Sequence, residues 1–96
     1  MRSDHLDLLK SVFDKQLNPA QHRAFIFGSF AKSEEGKFSD LDIGIEGRRL
    51  SPETYFTLLE EIENSALPFV VELVQFCDVS GEFRKKALGE IIPINY

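Results

Sequence analysis

The chain has one cysteine, Cys77, so an internal disulfide is excluded. No cysteine or histidine stands near it at metal-ligand spacing, which removes a thiolate metal site and leaves Cys77 as a buried or half-buried filler. Basic charge is also scarce: eleven Lys and Arg against sixteen Asp and Glu give a net charge of −5. A domain that grips a long nucleic acid by itself needs a basic face, and these residues are dispersed, so no such partner is expected. The two small clusters, Arg48-Arg49 and Arg84-Lys85-Lys86, read as solvated positions at a turn and on a helix. No apolar run approaches the roughly 20 residues that cross a bilayer, and Met1-Arg2-Ser3-Asp4-His5 lacks the apolar block of a secretion signal. A cytoplasmic protein without membrane contact is the expectation. There is no Ser-His-Asp order, no zinc spacing, no Walker-type phosphate loop and no dinucleotide fingerprint. His5 and His22 read as surface positions.

What is present is enough for one folded unit. Hydrophobic residues make up 43% of 96 residues and nine are phenylalanine, which suits a single domain over 1–96 with one core rather than a disordered chain. Leu6, Leu9, Val12, Phe13 and Leu17 recur at helical spacing and predict an amphipathic helix from about Ser3 to Leu17, ended by Asn18-Pro19. A strand is predicted over Arg23 to Phe27 and another over Ser39 to Glu46, closed by Gly47. Ser51-Pro52 is a capped helix start, and Tyr55, Leu58, Leu59 and Ile62 form its apolar stripe, ending near Ala66 before Pro68. Phe69 to Phe76 is β-branched and aromatic, a strand with one acid, Glu72, in its middle. Ser80 caps a last helix, Gly81 to Gly89, with Phe83, Ala87 and Leu88 turned inward.

The segment Gly28 to Asp42 carries the chemistry: a Gly-Ser pair, ten residues, then Asp-x-Asp. The apolar run Ala24-Phe25-Ile26-Phe27 precedes it, so Gly28-Ser29 falls where a buried strand ends and a short helix begins. Helix-start N–H groups are unpaired, the helix dipole favours an anion there, and glycine permits close approach of a phosphate. Asp40 and Asp42 alternate on a strand, so both project from one face while Leu41, Ile43 and Ile45 take the other. Mg²⁺ prefers carboxylates together with substrate phosphates, so this pairing suits a Mg²⁺-nucleotide, a substrate compatible with an acidic chain. Glu72 either faces solvent or, beside Asp-x-Asp in one sheet, supplies a third acid.

On these residues the chain resembles the nucleotidyltransferases of the DNA polymerase β superfamily, whose signature is Gly-Ser followed by Asp-x-Asp. It looks most like the minimal nucleotidyltransferases, small proteins often encoded beside a helical HEPN partner as the antitoxin of a toxin–antitoxin pair. The resemblance covers almost the whole chain. It implies an α+β, polymerase β palm-like fold: a small mixed sheet with the signature strands antiparallel, helices mainly on one face and the opposite side left for the nucleotide. It further implies Gly28, Ser29 and Lys32 on the triphosphate of ATP, and Asp40, Asp42 and Glu72 as catalytic and metal-binding acids for two Mg²⁺ ions. The implied reaction is adenylylation of a tyrosine hydroxyl on a HEPN-type toxin held in a hetero-oligomer. Close relatives usually read Gly-Ser-Arg-Ala-Arg-Gly, whereas here Phe30, Lys32 and Ser33 replace the two arginines and the last glycine, and Glu72 stands for the usual aspartate. Two other readings stay open: a catalytically weak antitoxin that masks its partner by contact, favoured by Phe30, Ser33 and Glu72, and a small-molecule nucleotidyltransferase with a separate acceptor-binding subunit.

Overall fold

A computed structural model describes residues 3–28, 31 and 40–96. The first helix, α1 (Ser3–Gln16), buries Leu9, Val12 and Phe13, with Asp4 in its first turn and Lys15 in its last, each complementing the helix dipole. Leu17 lies just beyond it and is also buried. Pro19 disfavours helical geometry at Asn18. The Asn18 side chain accepts from Ala20 N (2.9 Å) and its carbonyl from Gln21 N (2.9 Å) and His22 N (2.8 Å), which turns the chain into β1 (His22–Phe27).

Strands β1 and β2 (Asp40–Gly47) pair antiparallel, as expected, with Phe27 opposite Asp42 and Phe25 opposite Gly44. Helix α2 (Pro52–Glu63) starts at Ser51, whose Oγ accepts from Thr54 N at 3.2 Å, with Pro52 at the first helical position where a missing N–H does no harm. It carries the chain across to β3 (Val70–Gln75), which runs parallel to β2. Phe76–Asp78 then form a single 3₁₀ turn rather than continuing the strand. Helix α3 (Gly81–Ala87) is capped by Ser80 Oγ, which accepts from Phe83 N at 3.1 Å.

A fourth strand, β4 (Ile92–Pro93), completes the sheet in the order β3-β2-β1-β4. No periodicity announces it. Ile94 N donates to Ala24 O at 2.9 Å, and the buried Asn95 side chain accepts from Ala24 N (2.8 Å) and donates to His22 O (3.0 Å), so both its polar ends are satisfied against β1.

Two layers of side chains follow from the strand period. Ala24, Ile26, Leu41, Ile43, Ile45 and Leu73 meet α1 and α2 in the main core. Gln75 shares that face, where its Oε1 accepts from Leu50 N at 2.6 Å. The opposite face holds a second cluster, Phe25, Phe27 and Phe76, covered in part by α3. So the helices lie mainly on one face, while α3 occupies part of the side expected to be left for the nucleotide. Phe76 packs edge-on against Phe25 (4.9 Å between ring centres) and Phe27 (5.3 Å), and Phe83 of α3 packs edge-on against Phe27 at 5.9 Å.

Two sequence expectations are corrected. Cys77 is exposed, because the 3₁₀ turn lifts it off the sheet while Phe76 takes the buried position. Arg84 is not simply solvated: its guanidinium makes a bidentate pair with Glu46 of β2, the Nη1–Oε1 bond measuring 2.6 Å. Arg49, 62% exposed in the turn after β2, stays at a solvated position and pairs there with Asp78. Neither cluster forms a basic groove.

Gly44 is the socket of the aromatic cluster. A Cβ there would lie 2.5 Å from Phe76 Cε1 and 2.6 Å from Phe25 Cε2. Gly44→Ala is therefore expected to destabilise the fold by about 1–3 kcal/mol, the range for overpacking a core. Gly81→Ala, where a Cβ meets nothing within 4 Å, should leave stability unchanged or slightly raised. Urea unfolding of both variants checks the contrast; equal midpoints would show that the Phe25–Phe76 packing yields freely.

Candidate functional site

Burial on one side of β2 aims the acids on the other. Leu41, Ile43 and Ile45 are fully or almost fully buried against the helices, each contributing on the order of 1.5–3 kcal/mol, so Asp40 and Asp42 must project from the opposite face. On β3, Leu73 sits in the same core, opposite Ile43, and turns Glu72 the other way. The parallel register sets Glu72 beside Asp42 and Val70 beside Asp40. Strands in a sheet lie about 4.8 Å apart, so the three acids stand on one face of two adjacent strands. Asp40 and Glu72 are exposed and Asp42 is half-buried.

Gly28 follows directly from β1 and lies against the Asp42 carboxylate. Its φ is +75°, and a Cβ built there would come within 2.6 Å of Asp42 Oδ2. Glycine is thus required twice, for a backbone conformation that other residues rarely adopt and for room beside the acid. Sequence reasoning assigned Gly28 only to the approach of an anion; the contact with Asp42 depends on the register of β1 against β2. Ser29 and Lys32, the other two expected phosphate-binding residues, lie outside the described residues, as do Phe30, Ser33 and the short helix expected there.

The acids oppose one another electrostatically. The Asp42 carboxyl is held above its ordinary range by burial first, then by the charge of Glu72 and that of Asp40. Among the described residues no three His, Cys, Asp or Glu side chains are drawn together into a ready-made metal cluster. The donor chemistry still fits a hard divalent cation: carboxylate oxygens share a face with an excess of negative charge that a cation would relieve. Mg²⁺ is commonly held by one or two carboxylates, with waters and substrate phosphates completing its shell, so a closed three-acid cage is not required.

A cleft of about 310 Å³ opens beside Asp42. Among the described residues Phe27, Gly28, Asp42, Phe83, Lys86 and Ala87 line it. The last three belong to or adjoin the inward face of α3, and sequence reasoning left Lys86 out of the site. The signal was available, since Phe83, Lys86 and Ala87 are spaced i, i+3, i+4 and share a helical face.

Because Asp42 takes up a proton more readily in the folded chain than in the unfolded one, its contribution favours the fold below the unfolded value, near 3.8, and is lost as pH rises through the raised folded value. Asp42→Asn removes the repulsion with little change of shape. Without divalent cations it should raise Tm at neutral pH by a few degrees, and the gain should shrink in acid. Thermal denaturation in chelator across that pH span checks this; a Tm lowered at neutral pH would show that the Asp42 charge supports the fold.

Comparison with known proteins gives a consistent result. No curated protein matches the chain. In solved structures it is similar to a chain in the crystal structure of a toxin–antitoxin with AMP-PNP, with TM-score 0.72 and 19% identity, covering 93% of this chain and 71% of that one. It is also similar to a chain in the complex of a tri-AMPylated Shewanella oneidensis HEPN toxin with its MNT antitoxin, with TM-score 0.59, 20% identity and the same coverage of 93% and 71%. At these identities the likeness speaks for the fold. A family model described as polymerase beta, nucleotidyltransferase matches residues 8–94, from α1 through β4, with Gly28, Asp40, Asp42 and Glu72 all inside the match. The chain belongs to the polymerase beta nucleotidyltransferase family.

Proposed function

We propose that this chain, as one minimal nucleotidyltransferase domain, transfers AMP from ATP to a hydroxyl of a HEPN-type partner and so serves as the antitoxin of a toxin–antitoxin pair. The observation that carries the reading is the common face of Asp40, Asp42 and Glu72 next to Gly28, where repelling carboxylates leave a place for positive charge. The similar complexes contribute the choice of reaction, since one contains AMP-PNP and the other an AMPylated HEPN toxin. A tyrosine hydroxyl is the acceptor we favour.

Asp40 and Asp42, with Glu72, would hold two Mg²⁺ ions, whose positive charge, when bound, would offset the negative charge of the phosphate oxygens. Gly28 leaves the backbone open to the β- and γ-phosphates, with Ser29 and Lys32 as further phosphate ligands. The acceptor oxygen attacks the α-phosphorus, the bond to the bridging oxygen of the β-phosphate breaks, and pyrophosphate leaves with that electron pair. Glu72, exposed at the edge strand β3 where an acceptor can reach it, orients the hydroxyl and takes its proton. Alignment of the two reacting groups accounts for much of the rate, so errors of about 1 Å at Glu72 matter on the order of 100-fold.

The test incubates the protein with its HEPN-type partner, Mg²⁺ and ATP labelled at the α-phosphate. Label is expected on the partner and should fall by about 100-fold or more in Asp42→Asn, the scale on which misplaced reacting groups lose rate. Partner neutralisation that survives Asp42→Asn with no label transferred would overturn the reading in favour of masking by contact. Label on a small metabolite instead would identify a different acceptor.

A further inference from the structure

A polyanion held beside three carboxylates gains from a protein cation as well as from its metal ions, and α3 carries one at the cleft. Lys86 lines the cleft that Asp42 and Gly28 also line. Of the other described cations on or near this face, Arg84 pairs with Glu46 and Arg49 with Asp78, Arg23 lies over the Tyr96 ring at 5.3 Å, and Lys85 is exposed outside the cleft. Lys86 has no ion pair or hydrogen bond among the described residues. Among the described residues the rest of the lining beyond Gly28 and Asp42 is apolar: Phe27 from β1, and Phe83 and Ala87 from α3. Phe83 is 45% exposed despite its ring contacts with Phe27 and Phe76, so one part of the ring packs and the rest faces open space.

The placement of this wall is fixed rather than incidental. The bidentate Arg84–Glu46 pair ties α3 to β2 two residues beyond Gly44 on the acid-bearing face, and the Phe83 ring anchors the same helix to the aromatic cluster. Arg84 and Lys86 thus divide the work of the basic cluster, one holding the helix down and the other left for a ligand. A volume of about 310 Å³ is at the small end of the range for ligand pockets, enough for part of a nucleotide with the rest over the open acids.

We propose that α3 is the second wall of the nucleotide site, with the Lys86 ammonium binding the triphosphate and the exposed part of Phe83 giving the nucleoside an apolar surface. This rests on the nucleotidyltransferase reading and adds two binding residues to it. A lysine acts on phosphate as a point charge on a flexible stem, without the fork of an arginine, so it places less demand on the exact position of α3.

Calorimetric titration with Mg²⁺ and α,β-methylene ATP, whose Pα–Pβ link resists transfer, tests the proposal. Lys86→Ala should weaken binding about 10-fold, the scale of one lost charge-assisted hydrogen bond, and Lys86→Arg should restore most of it. Lys85→Ala, exposed on the same helix and outside the cleft, should bind as wild type does. Phe83→Leu should also weaken binding, with circular dichroism confirming that it folds; unchanged affinity there would overturn the apolar wall. If Asp42→Asn weakens Mg²⁺-dependent binding while Lys86→Ala matches wild type, the assignment of Lys86 fails and the nucleotidyltransferase reading stands. An equal loss in Lys85→Ala would overturn a specific role for Lys86 in favour of general helix charge. A wild-type protein that binds no nucleotide overturns both.

Discussion

Everything at the site depends on the two-residue period of β2. Burying Leu41, Ile43 and Ile45 against α1 and α2 is strongly favourable and leaves Asp40, Asp42, Gly44 and Glu46 together on the other face. That face does three jobs in succession along one strand. Its start carries the acids, its middle is the bare backbone into which Phe25 and Phe76 fit, and its end holds α3 through Glu46 and Arg84. A slip of one residue in register would exchange the layers completely, putting carboxylates in the core. The site and the core are therefore specified by the same pairing.

The acids sit in that arrangement at a cost to the unliganded fold. Asp42 is partly buried and faces like charge from Glu72 and Asp40, which raises its proton affinity. Gly28 makes the arrangement possible, since it leaves its space to Asp42 Oδ2 and adopts a positive φ at no steric cost. Such conflicts are where local rules yield to binding, because a cation or a phosphate-bound cation relieves what the protein alone cannot. The main core compensates: its residues on β1, β2 and β3 are closed by two helices that also pair through Gln16 and Glu61 at 2.9 Å.

Much was legible from local pattern. The helical stripe of α1, the Ser51-Pro52 start of α2, the Ser80 cap of α3 and the single acid of β3 are all set by neighbours within a few residues. Less legible were features made by residues distant in sequence. Asn95 satisfies β1 from 71 positions away in its bond to Ala24 N, and nothing near it signals an edge strand. Cys77 is lifted out by a 3₁₀ turn that begins where Phe76 drops toward Gly44, a contact spanning two strands. Arg84 looked like solvated helix charge because Glu46 lies 38 positions earlier.

By itself the amino-acid sequence determined which residues share a face, since alternation along a strand and the 3.6-residue turn of a helix are properties of the backbone alone. It therefore placed Asp40 with Asp42, and Phe83 with Ala87, before any contact was known. Only the tertiary structure decided that Glu72 falls beside Asp42, that Gly28 makes room for that carboxylate, and that Lys86 looks into the same cleft. Those are outcomes of strand order, register and the docking of α3, which arise from packing between segments and leave no periodic trace within any one of them.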